Sequence, residues 1–113
     1  MNNGELIEPL RAFVAEREWQ QFHTSGNLAK SISIEAAELV ELYQWDSDPD
    51  EARLKEELAD VLTYCLLLAD RHNFNVSKIV LQKLEQTKAK YPVEKAKGES
   101  VKHDRLSSRE AAF

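Results

Sequence analysis

The sequence predicts an all-α fold, an antiparallel four-helix bundle followed by an extended tail. Long runs of Ala, Leu, Glu, Lys and Gln favour helix, and only three Gly and three Pro interrupt them. The apolar residues recur three and four apart, which is the helical period and not the alternation of a strand. A chain of 113 residues is one domain by size and buries roughly two-thirds of its unfolded surface, enough for one core. The boundary falls at a helical domain over 1–92 and a tail over 93–113.

Helix one spans residues 5 to about 20, with Leu6, Ile7, Leu10, Phe13, Val14 and Trp19 near helical spacing. Residues 22–27 break the pattern, and their Thr, Ser, Gly and Asn supply turn and capping chemistry. Helix two begins at Asn27 or Leu28 and reaches Trp45. Its apolar arc is Ile32, Ala36, Leu39, Val40 and Tyr43; Glu35 and Glu38 lie at the arc's edge, which Leu42 and Trp45 continue. Asp48 as N-cap and Pro49 as first helical residue then start helix three, which runs to His72. From Leu58 to Ala69 that helix is apolar almost all round, so it is expected to be buried, and in so small a chain burial calls for a partner subunit. A short turn with Asn75 as cap leads into helix four over 76–90, with Ile79, Val80 and Leu84 facing inward. Beyond Tyr91-Pro92 the periodicity fades into the extended or partly disordered tail.

The net charge of −5 argues against a nucleic-acid polymer as partner, since such proteins carry a basic face. It leaves room for a single nucleotide whose phosphates a metal ion neutralises. One cysteine, Cys65, permits no intrachain disulfide and fits a reducing compartment; within its apolar helix it reads as a small buried hydrophobe. No apolar run approaches the roughly 18 residues of a membrane span, and the N-terminus lacks a signal-peptide core. The expectation is a soluble cytoplasmic protein.

Chemistry concentrates in two carboxylate pairs, Glu35 with Glu38 and Glu57 with Asp60. Residues three apart are neighbours on a helix surface, so each helix offers one acidic pair on one face. A lone pair of this kind is usually a solvated face. The second pair, however, abuts the apolar Val61-Leu62, where an unpaired acid is costly. Packed together, the four acids would repel one another unless a cation sat among them, and oxygen-only donors suit Mg²⁺, with Mn²⁺ as a substitute. A di-iron site would add His in a Glu-x-x-His pattern, which His23, His72 and His103 do not supply, and zinc would want more His and Cys. Trp19, Phe22, His23 and Trp45 suit either core packing or stacking on a nucleobase, worth about 1–3 kcal/mol per base. Lys83 and Lys90 are either solvated or phosphate contacts.

The residues Glu35-Ala-Ala-Glu38-Leu-Val-Glu-Leu-Tyr-Gln-Trp45 and Glu56-Glu57-Leu-Ala-Asp60-Val-Leu-Thr-Tyr64 resemble the ExxE…ExxD signature of the MazG-like all-α nucleoside triphosphate pyrophosphohydrolases. The dCTP pyrophosphatase branch is nearest, because Glu18-Trp19-Gln-Gln-Phe22-His23 precedes the first pair and Lys83 and Tyr91-Pro92 follow the second. The resemblance covers about residues 13–102. It departs at Ile34, where many relatives have a second Glu, at Thr87 and Lys90, where Asn and Arg are frequent, and at His103, where an aromatic is common.

That resemblance implies Glu35, Glu38, Glu57 and Asp60 as Mg²⁺ ligands. It implies Trp19, His23, Asn27, Trp45 and Tyr64 around the nucleoside, and Lys83 and Tyr91 at the phosphates. It also implies cleavage of a (deoxy)nucleoside triphosphate between the α and β phosphates, in a homodimer or homotetramer with sites partly at subunit contacts. Either Glu38 or Glu41 would orient the attacking water. dCTP is the expected substrate, with dUTP or a modified nucleotide as alternative. Two readings from other classes are a sensor that binds a triphosphate without cleaving it and a helical interaction module.

Overall fold

The computed structural model describes residues 3–45 and 48–98, and among them the only regular structure is helical. In order these are α1 (Asn3–Glu16), a 3-10 turn (Trp19–Phe22), α2 (Ser25–Glu41), α3 (Glu51–Arg71), α4 (Val76–Lys90) and the one-turn α5 (Val93–Ala96). Residues up to Ser77 form one compact unit and those from Lys78 a second. Within the first unit α2 and α3 make the largest helix–helix contact, and α1 packs on α3 and on the 3-10 turn. Its buried apolar side chains are Ile7 and Val14 of α1, Leu28 of α2 and Ala69 of α3.

The helix ends explain where the sequence reading shifts. Helix one stops at Glu16, not near Gln20, because Glu18 takes a left-handed conformation (φ 54°) and its N–H returns to the Ala15 carbonyl at 3.0 Å. Such a residue closes a helix and is usually Gly or Asn. The chain then re-enters as the 3-10 turn that carries Trp19 and Phe22. Thr24, and not a later residue, caps α2: its Oγ1 accepts the Asn27 N–H at 3.1 Å. Ser25 and Gly26 therefore belong to the first turn of α2. The same helix ends at Glu41, short of Trp45, because Leu42, Tyr43 and Gln44 bond three residues back in a tightening 3-10 pattern.

Asp50 replaces Asp48 as the cap of α3, with its Oδ1 accepting the Ala52 N–H at 3.3 Å, so Pro49 precedes the helix. The far end of α3 is closed by left-handed Asn73 (φ 57°), with Asn73 N–H on the Asp70 carbonyl at 3.0 Å and Phe74 N–H on that of Ala69 at 2.9 Å. That pair of bonds is a Schellman motif. α4 has the bounds its periodicity predicts.

Burial corrects three expectations. Cys65 is exposed, not buried. Leu58 and Leu62 on α3 are exposed as well, and so are Ile79, Val80 and Leu84 of α4. An apolar helix sheds water only against another surface. The stretch after Pro92 opens with α5 instead of extended chain. The expected tail from 99 onward, with His103, lies outside the described residues.

Candidate metal centre and adjoining cleft

The pairing of α2 with α3 brings Glu35, Glu57 and Asp60 together, with one carboxylate oxygen of each within 4.8 Å of the others. Glu35 and Glu57 are half-buried, and Asp60 is exposed. The Oε2 atoms of Glu35 and Glu57 are buried and have no hydrogen-bond partner. A buried acceptor left unmatched is costly, more so when it is charged. Burial is the largest influence holding the Glu35 carboxyl above the usual glutamate range, followed by the hydrogen bond and charge of Glu38 and then the charges of Asp60 and Glu57. Burial also leads in raising Glu57, followed by the charges of Glu38 and Asp60, against a lowering by Arg53. Glu38 is exposed and stands outside the tight triplet, yet its charge reaches both half-buried acids.

The donor set fits a hard divalent cation. It is oxygen-only, dense in charge, and two of its oxygens have no protein hydrogen to satisfy them. The ion pairs of Arg11, Arg17 and Lys88 go to Glu8, Asp70, Glu16 and Glu85, none of them in the cluster.

Asp60 also lines a cavity of about 320 Å³ with Trp19, His23 and Tyr64. Three of the expected nucleoside contacts thus share one cleft with an acid of the cluster. Phe13, which the sequence places only in the core, orders that wall. Its ring meets Trp19 edge-on (centroids 5.5 Å, 83°), Trp19 meets His23 edge-on (6.5 Å, 65°), and the Arg17 guanidinium lies 3.9 Å over Phe13. Thr63, Leu10 and Leu67 line the same cavity without any sequence signal beyond helical spacing.

The other expected site residues are placed differently. Asn27 braces the backbone: its Nδ2 donates to the Phe22 carbonyl at 2.9 Å while its N–H serves the Thr24 cap. Trp45, in the turn after α2, is 81% exposed. Glu41 is exposed at the last position of α2. Lys83 is exposed on α4, and Tyr91 follows that helix, both in the second unit.

A second cavity, of about 380 Å³, adjoins the first through shared Val14, His23 and Leu67, and reaches Gln20, Arg11 and Asp70. Arg11 Nε donates to Asp70 Oδ1 at 3.1 Å and Oδ2 at 3.0 Å, Nη2 donates to Oδ1, and Nη1 donates to Glu8 Oε1 at 2.6 Å. The Asp70 hydrogen bond leads the influences that keep the Arg11 guanidinium charged. Nothing in the sequence pattern links these residues, which stand 59 apart.

Comparison with known proteins agrees with this geometry. The model of the MazG-like family matches residues 30–106, most of the chain and both acid pairs. dCTP pyrophosphatase 1 of Rattus norvegicus and of Homo sapiens are each 38% identical over 113 residues, covering 90% of this chain and 66% of each relative. The chain thus spans just under two-thirds of the length of these curated relatives. The crystal structure of a pyrophosphatase from Archaeoglobus fulgidus superposes with a TM-score of 0.73 at 43% identity, over 79% of this chain and 91% of that one. With a family model over most of its length and the acid cluster in place, the chain belongs to the MazG-like family.

Proposed function

We propose that the protein is a Mg²⁺-dependent nucleoside triphosphate pyrophosphohydrolase, with Mn²⁺ as a substitute. It would cleave dCTP or a related pyrimidine (deoxy)nucleotide between the α and β phosphates and so cleanse the nucleotide pool, as a cytoplasmic enzyme. The observation that carries this is the junction at Asp60, where a triplet of acids with two unmatched buried oxygens adjoins a cleft walled by Trp19, His23 and Tyr64. The names of the relatives, dCTP pyrophosphatase and pyrophosphatase, support it.

In this mechanism Glu35, Glu38, Glu57 and Asp60 hold the cation. The bound cation supplies Lewis-acid polarisation and offsets the charge of the polyphosphate. Trp19 and His23 offer ring faces to the base and Tyr64 contacts the nucleoside, with Trp45 and Asn27 further candidates. Lys83 and Tyr91 would grip phosphate oxygens. Water adds at the α or the β phosphorus, and the bond from that atom to the bridging oxygen breaks. Attack at α expels pyrophosphate, attack at β expels the nucleoside monophosphate, and either route gives the same two products. Glu38 or Glu41 takes the water's proton, the exposed position of both leaving them open to solvent.

The exposed apolar side chains Ile34 (59%), Val40 (68%) and Leu62 (51%) support a homodimer or homotetramer of antiparallel four-helix bundles. Among the described residues no helix is long and apolar enough to cross a membrane, in keeping with the proposed compartment.

The test is pyrophosphate release from the standard ribo- and deoxyribonucleoside triphosphates, with Mg²⁺ and with chelator. The expected outcome is Mg²⁺-dependent release, strongest with dCTP. Binding without release would replace the enzyme by a nucleotide sensor, and neither binding nor release would leave a helical interaction module.

A further inference from the structure

The aromatic wall of the cleft at Asp60 is built by a reversal of the chain and not by continuous helix. Phe13 and Trp19 are six residues apart, and in an unbroken helix such residues face about 120° away from each other. Left-handed Glu18 (φ 54°) ends that geometry and turns the 3-10 segment back, so the Trp19 ring meets Phe13 edge-on with centroids 5.5 Å apart. A residue other than glycine adopts this conformation infrequently and at a cost, and it persists where the surroundings enforce it.

Phe13 is itself held. The Arg17 guanidinium lies 3.9 Å over its ring, while Nη1 of the same arginine donates to the Phe13 carbonyl at 3.1 Å. That carbonyl belongs to the last turn of α1, where a basic side chain is a favoured partner. A 3.5 Å contact with Glu16 Oε2 completes the seating of Arg17. The Phe13 ring therefore has a cation over its face and an indole at 83° to its plane. It is nevertheless 45% exposed, and the buried side chains of α1 are Ile7 and Val14 instead. Its contacts lead to Trp19, and through Trp19 to His23, both of which line the cleft with Asp60.

We propose that Phe13, clamped by Arg17, is the positioning residue for Trp19, fixing the indole in the orientation in which Trp19 and His23 receive the base. This rests on the pyrophosphohydrolase reading and extends it to residues that act through another side chain. An indole held in advance loses less freedom when a ligand arrives, so the contact acts on affinity and not on the chemical step. Phe13 also lines the cavity, which makes direct contact with substrate the competing account.

The experiment measures KM and kcat of the full chain for dCTP with Mg²⁺, as a double-mutant cycle between Phe13→Leu and Trp19→Leu. Phe13→Leu should raise KM by about 2- to 12-fold, the range of an aromatic pair, and leave kcat within about 2-fold. Phe13→Tyr, which keeps the ring, should restore KM. In the Trp19→Leu background Phe13→Leu should have no further effect. A KM rise by the same factor in both backgrounds would overturn the proposal, because Phe13 would then act on substrate directly or through the fold. Near-UV circular dichroism in a Trp45→Phe background isolates Trp19, whose band should be lost with Phe13→Leu; an unchanged band would also overturn it. Arg17→Gln, at an exposed position, should raise KM in the same direction by about 2-fold. An unchanged KM in that variant would overturn the clamp whether or not Phe13→Leu folds. If no triphosphate is cleaved, the pyrophosphohydrolase reading falls and the same cycle run on the dCTP dissociation constant decides this proposal. Absence of binding as well would bring down both.

Discussion

Asp60 and Asp70 share a helix and stand in opposite electrostatic company. Asp70 lies against a guanidinium from α1 that answers its charge. Asp60 lies among other acids, in a cluster whose effect is to raise the proton affinity of Glu35 and Glu57. The contrast separates a charge answered by a neighbouring helix from one set in a cluster of like charge. The second arrangement is costly without a counter-charge, which the proposed cation would supply.

The sharpest way to break this contrast is Asp60→Ala. Turnover at saturating Mg²⁺ should fall by more than the roughly 10–100-fold typical of losing an outer-shell partner, and Glu38→Ala should behave alike. Helical circular dichroism should be unchanged, since neither acid holds the fold. A variant that keeps near wild-type pyrophosphate release would erase the distinction between the two aspartates.

Next in size is the effect of the ion on stability. At Mg²⁺ a hundred times its Kd, the folded chain should gain about 2.7 kcal/mol. Thermal melting of the wild type should therefore shift upward by on the order of 10 °C. Asp60→Ala should abolish that shift and Asp70→Asn should keep it.

A smaller effect follows from the raised carboxyl groups. Glu35 and Glu57 hold protons more tightly in the folded chain than in the unfolded one. Between the ordinary glutamate range and the raised values the folded state binds more protons, so stability falls as pH rises through that window. Melting in chelator, followed from about pH 4 upward, should show this loss from these two groups. Glu35→Gln should flatten it, and Mg²⁺ should cancel it. A Glu35→Gln variant with the wild-type slope would mean that the buried oxygens are not strained.

The smallest effect is on the structural side of the Arg11–Asp70 pair. Arg11 is half-exposed, and ion pairs of that kind contribute about 0–1 kcal/mol. Asp70→Asn should lower urea-denaturation stability by no more than that.

Much of the site was legible because it is local. The i, i+3 acids, the Trp19 to His23 stretch and the bounds of α4 are set by spacing within a turn or two of helix. Thr24 was within the stretch recognised as capping, but its reach to the Asn27 N–H drew Ser25 and Gly26 into α2, which turn propensity alone places outside it. Asp48 followed by Pro49 reads as the cap of α3, and the bond of the Ala52 N–H to Asp50 moves that role two residues on. The Arg11–Asp70 bridge and the edge-on stack of Phe13 on Trp19 were not legible, because their geometry is fixed by how α1 meets α3 and by the left-handed turn at Glu18. Burial on α3 misled for a related reason: hydrophobicity states what a side chain prefers, not which surface supplies the cover.

The sparse core has a consequence for the bench. Among the described residues only Ile7, Val14, Leu28 and Ala69 are buried apolar side chains. In the proposed homo-oligomer a chain so thinly filled would draw stability from association, and association obeys mass action. Its melting midpoint should climb with protein concentration, and turnover per chain should decline on dilution as copies separate. An assay run at nanomolar protein would then report the fraction still assembled as much as the chemistry of the site.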